Sequence, residues 1–148
     1  MFSLDDKFIF YSKLDENHRP RKIFRHEIGK AVKDDILIFE EKTKAFTVGI
    51  GLTSDEKYYL VTSSDHNTTE KYYFHVDEKI PKPKLIKERE KGIIYSINSW
   101  NNNFYMHTNK NAEDFKILVS KDINSNQWED FISAKNETLI GSLVFLNN

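Results

Sequence analysis

The chain has 148 residues with no cysteine, only three prolines and five glycines, and no excess of either charge. The lack of cysteine excludes disulfide frameworks, thiolate zinc sites and thiol nucleophiles together. The 22 basic and 23 acidic residues nearly cancel, so no strong field would attract nucleic acid or an anionic membrane. No stretch approaches the ~18 apolar residues of a membrane span. The acidic N-terminal segment also differs from a signal peptide, and we expect a cytoplasmic protein.

Aromatic residues, at 14% of the chain, and β-branched residues favour strands. The stretch from Lys91 to Trp128 and its continuation to Ile132 contain four short apolar runs separated by turn residues. Each run has strand length and none has helix length. This pattern predicts a four-stranded antiparallel meander, which is one blade of a β-propeller.

The meander repeats along the chain. Phe46, Ile93 and Leu139 occupy the same place in successive units about 47 residues apart, a period typical of propeller blades. The predicted fold is all-β, an incomplete propeller of about three blades. Its units are a partial blade without an inner strand (1–44), two full blades (45–91 and 92–136) and the first strand of a further blade (137–148). An unrelated β-sandwich is the alternative fold.

The sequence offers no catalytic, cofactor-binding or metal-binding residue. A hydrolase serine would need Gly-x-Ser-x-Gly, and no pair of the five glycines brackets a serine in this way. Gly49 and Gly51 are followed by a predicted strand instead of a helix, so they are structural and not part of a phosphate loop. No pair of histidines has a metal-ligand spacing, although a contact between His75 and His107 of adjacent blades is conceivable. The other histidines are His18, His26 and His66.

Charged residues gather in three places, all of which are interpreted as solvated surface. The first contains Arg19, Arg21, Lys22 and Arg25, and the second contains Lys82, Lys84, Lys87, Arg89 and Lys91. Acidic residues are interleaved with both, which argues against nucleic-acid binding. The third contains Asp34, Asp35, Glu113 and Asp114. These carboxylates could attract basic peptide side chains, but acidic propeller rims are also ordinary solubilising surface.

Several motifs in one order resemble a known family. They are Asp15 with His18-Arg19-Pro20, Phe24-Arg25-His26-Glu27-Ile28-Gly29, Asp35-Ile36-Leu37-Ile38-Phe39-Glu40-Glu41, Arg89-Glu90-Lys91-Gly92-Ile93-Ile94-Tyr95-Ser96-Ile97, Phe104-Tyr105-Met106-His107-Thr108-Asn109, Phe115-Lys116-Ile117-Leu118 and Trp128-Glu129-Asp130-Phe131-Ile132. The set is similar to the middle of the propeller of oligopeptidase B (protease II), in the prolyl oligopeptidase family of serine peptidases. Each motif is weak alone, and the ordered set is fairly specific.

The resemblance implies a seven-bladed propeller above an α/β-hydrolase domain, in which the propeller admits only short or flexible peptides. Members of the oligopeptidase B group cleave after Lys or Arg. The catalytic residues lie in the hydrolase domain, and none can be transferred to this chain. The resemblance therefore predicts a fragment of a substrate-gating propeller, either part of a longer protein or one half of a split peptidase with a separately encoded catalytic half.

A stand-alone interaction module is the remaining alternative. Open blades leave edge strands unpaired near Phe8 and Phe145, and such edges pair readily with another chain. Terminal blades also expose apolar surface. We expect a homo-oligomer, or partial disorder before Lys7 and after Leu139. We expect no cofactor, no nucleic acid and no membrane partner, and peptide substrates only in a complete enzyme.

Overall fold

A computed structural model describes residues 1–146 as three antiparallel sheets that follow one another along the chain. The first sheet contains β1 (Phe8–Leu14), β2 (Pro20–Glu27) and β3 (Ile36–Glu40). A single 3₁₀ turn, Val32–Asp34, precedes β3. Within the described residues no helix is long and apolar enough to cross a membrane. The predicted all-β fold of consecutive meanders is confirmed, and the architecture is that of a partial β-propeller.

The second and third sheets each have four strands in sequential order. The second contains β4 (Thr47–Leu52), β5 (Tyr58–Ser64), β6 (Thr69–His75) and β7 (Lys84–Lys87). The third contains β8 (Tyr95–Trp100), β9 (Asn103–Thr108), β10 (Lys116–Ser120) and β11 (Glu129–Ile132). The boundaries of the predicted units stay a prediction, since the structure gives only which strands share a sheet.

Tight turns determine the register of these hairpins. Ser3 and Thr53 begin the turns before β1 and β5, and each hydroxyl accepts the backbone N–H of the strand's first residues, Phe8 and Tyr58. Asp6 and Glu56 adopt a positive φ in the same two turns. The repeated turn chemistry makes the first two sheets begin in the same way.

Two seams hold the three sheets together. The first seam packs Phe10 and Ile23 of the first sheet against Val61 and Phe74 of the second. The second seam packs Leu60 of the second sheet against Ile97 and Met106 of the third. In the second sheet, alternate residues of a strand face opposite seams, because side chains alternate across a strand. The second sheet is therefore covered on both faces.

The two ends of the chain differ from the sequence-based expectation. Near the start, Phe2 bridges Ile9, and Met1 and Phe10 exchange backbone hydrogen bonds of 2.9 and 2.8 Å. A short stub thus occupies part of the inner-strand position that was predicted to be empty.

The predicted inner strand of the next blade does not form within residues 137–146. This stretch has one isolated bridge, between Lys135 and Thr138. It lies on the third sheet, where the Ile140 N–H donates to the Asp114 carbonyl at 2.9 Å and Phe145 packs on Tyr105. A strand needs a neighbouring strand to bond with, and no strand of residues 1–146 pairs with this stretch. Residues 147 and 148 of the predicted unit lie outside the described residues.

Candidate functional site

The first seam contains an arginine between two acidic side chains. The Arg89 Nη2 atom donates to Glu41 Oε2 at 2.7 Å, and its Nε atom donates to Glu70 Oε2 at 3.1 Å. Its guanidinium also lies 4.1 Å from the ring centre of Phe46. Glu41 follows β3, Glu70 lies on β6 and Arg89 follows β7. The arginine therefore joins the first sheet's exit loop to the second sheet.

The carboxylates of this network are almost completely buried. The side chains of Glu41 and Glu70 are 4% and 8% exposed, and that of Arg89 is 28% exposed. The Ser63 hydroxyl also donates to Glu41, and the Tyr72 hydroxyl donates to Glu70 Oε2 at 2.9 Å. Buried charges are tolerated when each oxygen is paired in this way.

The pKa values of the two acids reflect this pairing. Burial opposes ionisation of Glu41, but the hydrogen bonds from Arg89, Ser63 and the Thr43 backbone outweigh it and lower the pKa to about 2. Burial also opposes ionisation of Glu70, and the bonds from Arg89 and Tyr72 lower its pKa as well. Both acids are therefore charged at neutral pH, and the network is a fixed electrostatic contact and not a proton donor.

Two further arginines of the first sheet are buried at the same seam. Arg21 donates from Nη1 to the Phe46 carbonyl at 2.8 Å, and Arg25 donates from Nη1 to the Lys79 carbonyl at 2.9 Å. Their exposed fractions are 9% and 8%. The interpretation of Arg21, Arg25 and Arg89 as solvated surface is therefore wrong. A planar guanidinium with five donors can reach several carbonyls at once, which suits it to such a seam.

The second seam has polar contacts at one end, and a partly buried lysine faces it from β6. The Ser99 hydroxyl donates to Asp55 Oδ2 at 2.6 Å, and the Ser54 N–H donates to Asn98 Oδ1 at 2.7 Å. Lys71, on β6, donates from Nζ to Thr62 Oγ1 at 2.6 Å. No arginine of the described residues joins the second sheet to the third through a carboxylate pair. The two seams therefore differ in their chemistry.

A groove of about 610 Å³ opens between the second and third sheets. Ile86, Met106 and Trp128 form part of its wall, and Lys87 and Lys110 lie at its rim. A second groove of about 630 Å³ opens between the first and second sheets. Within the described residues no group of three metal-ligating side chains exists.

The histidines have separate environments. His26 approaches Asp35 Oδ1 at 2.6 Å through Nδ1, and His75 approaches Asp77 Oδ2 at 3.4 Å through its own Nδ1. His107 Nε2 lies 2.7 Å from the Ile140 carbonyl. The conceivable contact between His75 and His107 is not made, because His107 faces the segment after the third sheet. His18 lies in a turn with φ of 58°, and His66 is exposed in another.

The candidate acidic residues are not gathered in one site. The Asp35 side chain is only 6% exposed, and its Oδ2 atom accepts a hydrogen bond of 2.7 Å from the Tyr11 hydroxyl. Asp35 was predicted to be surface, and this was wrong. Asp34 lies in the 3₁₀ turn of the first sheet, whereas Glu113 and Asp114 lie in the turn between β9 and β10. The four carboxylates therefore do not form a common binding surface.

Sequence reasoning missed Lys71 and the network of Arg89. The spacing of 48 residues between Glu41 and Arg89 carries no recognisable pattern. Comparison of the repeats could have identified Lys71. Ile23 pairs with Ser12 and Lys71 pairs with Thr62, and the shared turns place these pairs at equivalent positions. A lysine in a repeat position that is isoleucine elsewhere indicates an unusual environment.

Comparison with known proteins agrees with this architecture. Residues 3–148 match the family model described as the prolyl oligopeptidase N-terminal β-propeller domain. "Protease 2" of Moraxella lacunata is 36% identical over 111 residues, which are 75% of this chain and 16% of that protein. Among solved structures, oligopeptidase B from Leishmania major aligns with a TM-score of 0.89 at 21% identity, over 96% of this chain and 20% of that one.

The structure titled oligopeptidase B from Trypanosoma brucei with covalently bound antipain, closed form, aligns with a TM-score of 0.83 at 24% identity. That alignment covers 88% of this chain and 19% of the other. The chain thus spans about a fifth or less of the length of these relatives.

Proposed function

The chain belongs to the family of prolyl oligopeptidase N-terminal β-propeller domains, and from this premise we propose that it forms consecutive blades of a propeller that restricts access to a peptidase active site. The hydrolase chemistry belongs to a separate domain or chain. The substrates are short peptides cleaved after Lys or Arg. The observation that carries the proposal is the pair of closed seams, which join three sheets into one continuous wall.

The seams support this role because a gating wall must not separate as substrates move past it. The first seam combines a buried aromatic and aliphatic core with the paired charges of Glu41, Glu70 and Arg89. A buried pair of this kind costs several kcal/mol to break. The second seam adds a second core and the contact of Ser99 with Asp55. No nucleophile with an adjacent base accompanies these groups within residues 1–146.

The preference for Lys or Arg rests on the family resemblance. The carboxylates of the chain do not converge on an open cavity, because Glu41 and Glu70 are paired with Arg89 and Asp35 is bonded to Tyr11 and His26. We therefore assign recognition of the basic side chain to the hydrolase part, and exclusion of long or folded polypeptides to the propeller.

A chimera tests the gating role. Residues of this chain would replace the matching 111 residues of the Moraxella lacunata protease, with that protease unchanged as the control. We expect the folded chimera to hydrolyse a fluorogenic peptide ending in Lys or Arg, and to spare a folded protein that carries the same sequence in a loop. A cooperatively folded chimera that cleaves both at similar rates would contradict the gating role.

The isolated chain provides the second arm of this test. We expect it to hydrolyse neither substrate, because a nucleophile and its base are absent from its described residues. Activity that comigrates with the chain on size exclusion and survives repurification would contradict the assignment of catalysis to another domain.

Self-association is a second candidate function, favoured by one observation. The open side of the first sheet exposes Ile36 and Leu37 at 43% and 45%, and the terminal segment exposes Leu139 and Val144 at 70% and 76%. Exposed apolar surface of this kind promotes association. Size exclusion with light scattering tests it. A discrete oligomer would support an interaction module, and a sharp monomer would exclude it.

A further inference from the structure

Lys71 is a partly buried lysine of the second seam that has no acidic partner among residues 1–146. Its Nζ atom donates to Thr62 Oγ1 at 2.6 Å, and no carboxylate oxygen of the described residues lies within 4.0 Å of it. An ammonium in such a place loses hydration without gaining an anion, so its neutral form is favoured.

The other titratable groups around Lys71 do not restore its charge. Tyr73 lies two residues along β6, Lys87 lies directly across on β7, and Tyr95 lies on β8. The Tyr95 hydroxyl accepts the Lys71 backbone N–H at 2.9 Å and donates to the Lys87 carbonyl at 3.0 Å. Burial lowers the pKa of Lys71 to about 8. About one tenth of the side chains are then neutral at pH 7.

The inner-strand side of the Lys71–Thr62 pair is open. Gly49 pairs with Thr62 on the inner strand, is exposed, and has no atom within 4 Å of the place where a Cβ would lie. Lys87, which pairs with Lys71 across the sheet, lines the groove of about 610 Å³ between the second and third sheets. Lys87 likewise has no carboxylate oxygen within 4.0 Å among residues 1–146.

We propose that Lys71 is an acylation site that accepts an acyl group from a small acyl phosphate. The neutral amine attacks the acyl carbon and forms a C–N bond. The C–O bond to phosphate breaks, the phosphate leaves with the electron pair, and the amine releases one proton to solvent. Lys87 provides a second positive charge beside the acceptor, which favours an anionic donor over a neutral one. The product amide removes the uncompensated charge from the seam.

Acetyl phosphate provides a direct test. The chain is incubated with it between pH 7 and 9, and acetylation at each lysine is followed by peptide mass spectrometry. At pH 7.5 we expect Lys71 to react about tenfold faster than exposed Lys13 and Lys42. At this pH the neutral fraction of Lys71 is about 200-fold larger than that of an ordinary lysine. The rate advantage is smaller than this ratio, because a less basic amine is a weaker nucleophile and because Lys71 is partly buried. The rate at Lys71 should reach half of its maximum near pH 8 and level off above that pH.

Two variants examine the geometry. Gly49→Val should slow acetylation of Lys71 several-fold without changing Lys13, because the side chain fills the open approach. Lys87→Gln should slow the reaction with acetyl phosphate and leave the reaction with neutral phenyl acetate unchanged. Equal slowing with both donors would overturn the choice of an anionic donor.

Acetylation of the urea-unfolded chain by acetyl phosphate is the reference measurement. If Lys71 reacts no faster than Lys13 and Lys42 in the folded chain, or reacts only in the unfolded chain, the proposal is wrong.

Discussion

The two seams use the same backbone geometry and different side-chain chemistry. Ile23 in the first seam and Lys71 in the second hold equivalent positions, since each lies across from a hydroxyl residue at the same place in its hairpin. Ile23 is 0% exposed and packs in an apolar core. Lys71 takes a charge into the corresponding space and finds one neutral acceptor.

The charges of the first seam are compensated, and the charge of the second is not. Arg89 satisfies two carboxylates at once, whereas among residues 1–146 the ammonium of Lys71 bonds only the Thr62 hydroxyl. A buried charge stabilises a structure only when it is paired. We therefore expect the first seam to be the stronger of the two, and four measurements test this difference.

Arg89→Met should have the largest effect. It leaves Glu41 and Glu70 buried without a cation, and loss of one partner of a buried ion network costs about 3–5 kcal/mol. Urea unfolding measures the loss. The matched control is Lys110→Met, because Lys110 pairs with Glu90 where both side chains are about half exposed, and such a pair contributes under about 1 kcal/mol. Equal losses for both variants would show that the network adds nothing to the first seam.

Acidification should have the second-largest effect, and it should weaken the first seam. The pKa of Glu41 in the folded chain is about 2, below its ordinary value of 4.5. The stabilisation is therefore complete above about pH 4.5 and is lost as the pH falls towards 2. After allowance for screening by solvent we expect about 2 kcal/mol. The free energy of unfolding of the wild type and of Glu41→Gln, measured across this pH range, tests the prediction. A wild-type curve parallel to that of the variant would contradict the assignment.

Lys71→Met should stabilise the second seam by about 1–2 kcal/mol at pH 7, because it removes an uncompensated buried charge while keeping the apolar stem. The folded-state pKa of about 8 lies below the ordinary 10.5, so the wild type gains stability as the pH rises between these values. The advantage of the variant should shrink accordingly. Lys13→Met, at an exposed position, is the control. A variant less stable than the wild type would mean that the ammonium is compensated.

Ser99→Ala should have the smallest effect. Ser99 is 2% exposed, and its hydroxyl donates a hydrogen bond of 2.6 Å to Asp55. The alanine variant leaves the Asp55 carboxylate without this donor. We expect a loss of about 1 kcal/mol. Ser54→Ala, at the exposed end of the same seam, should change the free energy of unfolding by less. Thermal unfolding compares the two variants. A larger loss of stability in Ser54→Ala than in Ser99→Ala would contradict the assignment of Ser99 and Asp55 as the stronger polar contact of the second seam.

Much of the fold could be predicted from local patterns. Runs such as Lys57–Ser63 and Phe104–Asn109 have strand length and are rich in aromatic and other apolar residues, and they correspond closely to β5 and β9. Asn-rich and Asp-rich turns fixed where the runs end. The exception is the stretch 138–146, which has the apolar pattern of a strand and no neighbouring strand among the described residues. The apolar pattern indicates which residues can form a strand, but a strand forms only where a neighbouring strand is present to bond with it.

The candidate site could not be predicted in the same way. Glu41, Glu70 and Arg89 are separated by 19 to 48 residues, and each looks like an ordinary surface charge in its local sequence. Burial removes water from them only when the first and second sheets stack. The same holds for Asp35, whose contacts with Tyr11 and His26 cross the first sheet.

The all-β class, the repeat of meanders and the likeness to oligopeptidase B could all be inferred from the amino-acid sequence, because strand-forming composition and turn chemistry are local properties. Which charges are buried, and which of them are compensated, depends on the packing of the sheets. The face-to-face stacking of the sheets brings Arg89 to two carboxylates and leaves Lys71 with one hydroxyl. Stacking depends on contacts between residues far apart in the chain, and the free energy of a charge depends on the partners that those contacts supply.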